Sequence, residues 1–279
     1  MPRQYRFNRD FALEVQPVNG PAIEVVPPMR VAFDASKAVS GGLNKMIIRV
    51  YNLNEQHRLG LAKDAEDQTK RIPIQFSVGY VDMLRLLFKG TVHRGENYRE
   101  GPDFVTELEC LDGGYDFLNS FTSRTVKGKR KAIEAILGDM PNTTPGKLTE
   151  QTPLLRPKVL VGAPGKLFDS LVDEGETWFI EDEKLYVVKD KEVLSNFVPL
   201  VRADTGLLNT PTREQAKVTF DTLLNPTLRI GHLCDVESQS APHLNGIYKI
   251  DAISYEGDNY GDKWAQSVVA LPAQGYKVL

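Results

Sequence analysis

The sequence predicts a mainly β protein with an α+β insert. Three observations lead there. Apolar and polar residues alternate with a period of two through the first third of the chain. Between Val126 and Val198 the apolar spacing changes to that of helix faces and then to a hairpin. From Pro199 onward the period of two returns. Strands present successive side chains to opposite faces, and helices repeat every 3.6 residues, so the change of period marks a change of structure. The 279 residues are 41% hydrophobic and 25% charged, a globular composition long enough for two or three domains.

MRVAFDA (Met29 to Ala35) alternates, and KMIIRVYNL (Lys45 to Leu53) is β-branched and aromatic, so both read as strands. Ser40-Gly41-Gly42 between them reads as a hairpin turn or loop tip. Asn52, with Glu55 three positions on, resembles a capping box and predicts a short helix over EQHRLGLAKDAED, weakened by Gly60. Strands resume over Arg71 to Tyr80, Leu84 to Gly95 and Asp103 to Gly113, with ENYREGP as the loop between the last two. This is a β meander with one embedded helix.

In KRKAIEAILGD, Ala132, Ile133, Ile136 and Leu137 share a helical face, and Gly138 suits the residue after the helix. The following stretch, Met140 to Val159, carries four prolines among polar residues and reads as an exposed loop. GKLFDSLVDEG (Gly165 to Gly175) repeats the helical pattern. TWFIEDEKLYVVKD is a hairpin with an acidic turn, Glu181-Asp182-Glu183.

In the last region AKVTFDTLL runs to the turn at Asn225-Pro226, and TLRIG, HLCDVES, GIYKIDAIS and KWAQSVVAL follow as strands, the last two joined by the loop EGDNYGD. GIYKIDAISY places apolar residues on both alternation sets: Ile247, Ile253 and Tyr255 on one, Tyr248, Ile250 and Ala252 on the other. KWAQSVVAL does likewise. Antiparallel strands with one wet face alternate cleanly, so these predict cover on both sides, from the insert or from another subunit. The residues expected at such a subunit or partner interface are Tyr248, Ile250, Tyr255, Tyr260, Trp264 and Val268.

The net charge of −3 and pI near 5.9 argue against a protein that wraps duplex nucleic acid. No apolar run approaches the roughly 18 residues of a membrane span, and MPRQYRFNRDFALEVQP lacks the apolar stretch of a secretion leader. Cys110 and Cys234 lie on alternating patterns and read as reduced, buried thiols. GAPGKL has Leu160 and Leu167 where a phosphate loop needs glycine and a hydroxyl, so it reads as a helix start with Pro164. The basic run VKGKRK (Val126 to Lys131) reads as a solvated helix start rather than a phosphate or acidic-partner site. EGDNYGD fails the calcium-loop spacing, and His57, His93, His232 and His243 stand apart without metal-ligand intervals. No catalytic, cofactor or metal residue is singled out.

The order of segments resembles that of the baseplate hub proteins of contractile-tailed bacteriophages, the tail-hub or late-control type. The likeness is carried by FSVGYVDMLRLLFKGTVHRGENYREGPDFVTELECLDG, then GKLFDSLVDEGETWFIEDEKLYVV, then TGLLNTPTREQAKVTFDTLLNPTLRIGHLCDVES with NGIYKIDAISYEGDNYGDKWAQSVVAL. The resemblance implies two β-barrel-like tube domains, residues 1–125 and 199–279, flanking the α/β insert at 126–198. It implies a homotrimer acting as a symmetry adaptor between the tail tube and the central spike, with other baseplate proteins as neighbours. DNA would only pass through the channel. The implied location is the virion tail, assembled in the host cytoplasm, and no enzyme activity or cofactor is expected. Alternatives from the sequence are a tip component of a non-contractile tail, a glycan-binding β module and a cell-wall hydrolase.

Overall fold

The computed structural model describes residues 8–150, 156–273 and 275–279. The expectations that touch 1–7 and 151–155, namely the leader reading and part of the proline-rich loop, lie outside the described residues. The first region runs β1 (Arg9–Val15), β2 (Ile23–Val25), β3 (Val31–Ala38), β4 (Lys45–Tyr51), α1 (Glu55–Leu61), β5 (Pro73–Tyr80), β6 (Arg85–Glu100) and β7 (Asp103–Leu111). The middle holds α2 (Gly114–Asn119), β8 (Thr122–Val126), α3 (Lys129–Gly138), β9 (Thr144–Leu148), β10 (Lys158–Gly162), α4 (Pro164–Asp169), β11 (Glu176–Glu181), β12 (Lys184–Lys189) and β13 (Glu192–Val193). The last region is β14 (Leu200–Val201), β15 (Thr212–Glu214), β16 (Lys217–Leu223), β17 (Leu233–Val236), β18 (Gly246–Asp258), β19 (Trp264–Pro272) and β20 (Lys277–Val278). The protein is mainly β, built on large antiparallel pairings with few helices.

The first and last regions share one 13-stranded sheet, ordered β15-β16-β19-β18-β3-β4-β7-β6-β5-β1-β2, with β14 and β17 branching from β18. The antiparallel pairing of β18 with β3, Ala252 opposite Ala38 to Asp258 opposite Ala32, joins them. Their cores join too. Phe33 meets Phe76 edge-on at 4.9 Å and Trp264 at 5.5 Å, inside one cluster that spans both regions.

Several local expectations give way to tertiary pairing. The helix cap is Asn54, whose side chain accepts from the His57 amide at 2.8 Å, and α1 ends at Leu61. Asn52 instead sits at positive φ and accepts from the Phe104 amide. The expected loop ENYREGP is largely strand: β6 continues to Glu100 and turns back only at Gly101-Pro102. TLRIG forms turns rather than a strand. The proline-rich stretch contributes β9 and β10, where neighbours supply the pairing that local sequence does not announce. Helix α4 stops at Asp169, and Gly138 is the last residue of α3 rather than the one after it.

The insert has its own core, in which Ile133, Ile136 and Leu137 of α3 meet Leu160, Phe168, Trp178, Ile180 and Leu185. Hairpin β11–β12 also turns Phe179 and Val188 into the main core. Both cysteines are free and buried, and burial pushes the Cys234 thiol up to about 12.

Candidate functional site

The acidic turn of hairpin β11–β12 is driven into the main sheet and held there by charge. Asp182 and Glu183 both adopt positive φ, which closes the hairpin in two residues. Their amides donate to the Asp112 carboxylate at 2.6 and 2.7 Å. Lys37, buried on the inner side of β3, reaches Glu181 at 3.3 Å and Asp182 at 3.6 Å. Arg229 pairs with Glu181 at 3.1 Å and also with Asp182. Arg71 and Lys89 take Glu183 at 3.1 and 2.9 Å. Asn44 donates to the Ile180 carbonyl at 2.8 Å.

Burial works against charge on Lys37, but the Glu181 and Asp182 carboxylates outweigh it and hold the ammonium above its ordinary range. Burial lifts the Asp112 carboxyl to about 7, opposed by Lys37 and by the two amides. Buried charges must be paired, and removing one partner strands the rest, so this joint tolerates one placement of the hairpin on the sheet. The loop between β3 and β4 closes the same joint. A side chain at Gly41 would meet the Trp178 indole nitrogen at 3.1 Å.

The second feature is the outer face of the sheet, which strands β16, β19, β18, β3, β4 and β7 present side by side. Register lines up Asp221, Ser267, Ser254, Ser36 and Lys45 across it. A second row holds Leu223, Ala265, Glu256, Asp34, Ile47 and Glu109. The first row is rich in serine and the charges of the two rows lean acidic, with Arg49 bound to Glu107 at 2.7 Å and Asp34 at 3.3 Å. Ala252, Ala265 and Val269 are half-buried on this side, and near Leu271 the face is covered where Lys249 donates to the Asp190 carbonyl at 3.0 Å.

Of the six residues expected at an interface, five are buried in the chain's own core: Tyr248, Ile250, Tyr255, Trp264 and Val268. The reason is a bulge. Pairing with β19 slips between Ile250 and Ala252, so the alternation changes phase at Asp251 and Tyr248 and Ile250 from one apolar set turn inward together with Ile253 and Tyr255 from the other, while Ile247 and Ala252 stay outside. Strand β19 alternates cleanly, with Trp264, Gln266, Val268 and Ala270 inside. Tyr260 is exposed, its hydroxyl donating to the Pro28 carbonyl at 2.9 Å. Its loop is tied down: Asp258 binds Arg30 at 2.8 Å, and Asn259 accepts from the Val31 amide at 2.8 Å.

Other motifs settle into packing. Gly165 of GAPGKL lies against the Phe117 ring. In the basic run Lys129 is not solvated; it is buried and paired with Asp173 at 2.8 Å and with Glu176. The four cations of the joint come from β3, the approach to β5, β6 and the loop before β17, so only the acid triplet gave a sequence signal for it.

The fold is that of phage tail proteins. It is shared with the 43 kDa tail protein of prophage MuSo2 from Shewanella oneidensis, with TM-score 0.65 and 7% identity over 95% of this chain and 99% of that one. A tail protein from Neisseria meningitidis MC58 matches with TM-score 0.60 and 10% identity over 94% and 96% of the two chains. The E. coli c3393 protein, a type VI secretion component with structural similarity to T4 tail proteins gp27 and gp5, matches with TM-score 0.65 and 12% identity over 95% and 78%. No curated protein matches by sequence. The model of the baseplate hub gp41 family matches residues 17–268, and the chain belongs to that family.

Proposed function

We propose that the chain is a non-enzymatic virion protein, a homotrimeric hub that joins the tail tube to the central spike of a contractile tail. The observation that carries this reading is the single sheet running from the first β region into the last through β18 and β3. On this reading each subunit is a continuous piece of wall with one broad sheet face. Half-buried Ala252, Ala265 and Val269 on that face suit contact with further wall, while Asp34, Glu256 and Asp221 suit a lumen that DNA crosses without being held. The joint at Lys37 and Glu181 supports the insert as a rigid outer attachment where other baseplate proteins could be met.

The mass of the purified chain, alone and mixed with the spike protein of the same phage, tests this. Three copies per spike trimer are expected, and a one-to-one complex of monomers would refute the hub. Incubation with purified cell wall is expected to release no soluble fragments; release that disappears on changing a single carboxylate would establish a hydrolase instead.

A further inference from the structure

Strands β8 and β10 pair only with each other among the described residues, so each has an unpaired outer edge. Their register sets Val161 opposite Ser123 and Val159 opposite Thr125 on one side, with Leu160 buried in the insert core on the other. Val159 is 66% exposed, Val161 58%, and Phe121, one alternation beyond Ser123, 63%. A single exposed apolar residue is ordinary, but Val159 and Val161 on one face of an open-edged ribbon, with Phe121 just before its other strand, form a surface that attracts another strand. Because the pairing is antiparallel, the Val126 end of β8 lies beside the Lys158 end of β10. Exposed Lys127 and Arg156 therefore gather at one end of the ribbon, with Lys131 following on α3. None of the ion pairs among the described residues engages these three, although Arg130 is held by Glu134.

We propose that this ribbon is a docking edge for an extended segment of a partner protein, apolar at alternate positions and then acidic, which adds as a further strand. Main-chain pairing would hold it, the valines and Phe121 would take its apolar side chains, and Lys127, Arg156 and Lys131 its carboxylates. Duplex nucleic acid would set phosphates against the apolar row. A second copy paired antiparallel through the same edge would set residues 119–121 or 163–166, which hold no carboxylate, against the basic end. The surface is defined by the insert alone, so it stands apart from the hub reading.

The test is fluorescence anisotropy of the full chain with a labelled peptide that alternates valine and threonine and ends in three glutamates, at low and high salt. Saturable binding that weakens with salt is expected. It should fall about tenfold, equivalent to about 1.4 kcal/mol, in Val161→Glu and in a Lys127→Glu, Lys131→Glu double variant. Amide exchange should slow at 122–126 or 158–162 on binding. The proposal fails if the peptide does not bind, or if a version ending in three lysines binds equally well. It fails equally if inorganic polyphosphate competes the peptide away while an excess of unlabelled acidic peptide does not. Concentration-dependent dimers abolished by Val161→Glu would assign the edge to a second copy instead.

Discussion

Strand β18 and strand β10 both carry apolar side chains at odd and even positions, yet β18 turns its core residues inward on both sets while β10 leaves Val159 and Val161 in the open. The difference is one residue. Asp251 forms a bulge that changes the phase of β18, so Tyr248 and Ile250 before it and Ile253 and Tyr255 after it meet the same core. Strand β10 has an unbroken register with β8, and only Leu160 reaches a core. Apolar residues on both alternation sets therefore mean a two-sided strand only where the register is continuous. The insert repeats the contrast in another form. Its hairpin β11–β12 is pinned to the sheet by four cations and the Asp112 carboxylate, whereas its ribbon β8–β10 has two edges unpaired among the described residues.

Removing the bulge should break the comparison most severely. Deletion of Asp251 forces either Ile250 and Tyr248 or Ile253 and Tyr255 to face outward, and each displaced aliphatic costs about 2–5 kcal/mol. Loss of the cooperative thermal transition, followed by circular dichroism, is the expected result; a transition at the parent temperature would refute the bulge's role.

At the joint, Lys37→Ala leaves Glu181 with Arg229 alone, a change that costs about 3–5 kcal/mol for a buried pair. The urea midpoint should drop while the slope is retained. An unchanged midpoint would show that the pair carries no net stability.

Asp112 gives the joint a pH signature. Its carboxyl titrates near 7 in the fold, because of burial, and near 4 in the unfolded chain. Between those values the folded state holds a proton that the unfolded state has lost. The contribution is complete below about pH 4 and fades as pH rises through 7, at no more than about 1.4 kcal/mol per unit. Asp112→Asn should abolish this component, seen as a stability difference from the parent that changes over that window and is flat beyond it. A constant difference across pH would contradict the raised value.

The smallest effect sharpens the other half of the contrast. Val161→Ala removes an exposed side chain and should move stability by less than about 0.5 kcal/mol, whereas Ile253→Ala should cost about 2–5 kcal/mol. Chemical denaturation of the two variants side by side measures the gap, and equal losses would mean that β10 is covered.

The joint shows how far a sequence reading can reach. Glu181-Asp182-Glu183 stood out as an acidic turn, but its partners lie at Lys37, Arg71, Lys89, Asp112 and Arg229, and nothing in any of those segments points to the others. The inward turn of Tyr248, Ile250 and Tyr255 has a related cause. Register is a property of two strands, so the bulge at Asp251 leaves no mark in the alternation of β18 alone.

What the sequence determined by itself was local: the strand-rich ends, helix α3 with its apolar face, the hairpin β11–β12 and the order of β, α/β and β segments. These follow from side-chain period and turn chemistry, which act over a few residues. Tertiary structure alone decided that the two β regions form one sheet, that proline-rich sequence becomes β9 and β10, and which apolar residues are hidden. Those outcomes depend on hydrogen bonds and charges between residues from 32 positions apart (Lys158 with Val126) to 226 apart (Asp258 with Ala32), where no short-range pattern can encode the partner.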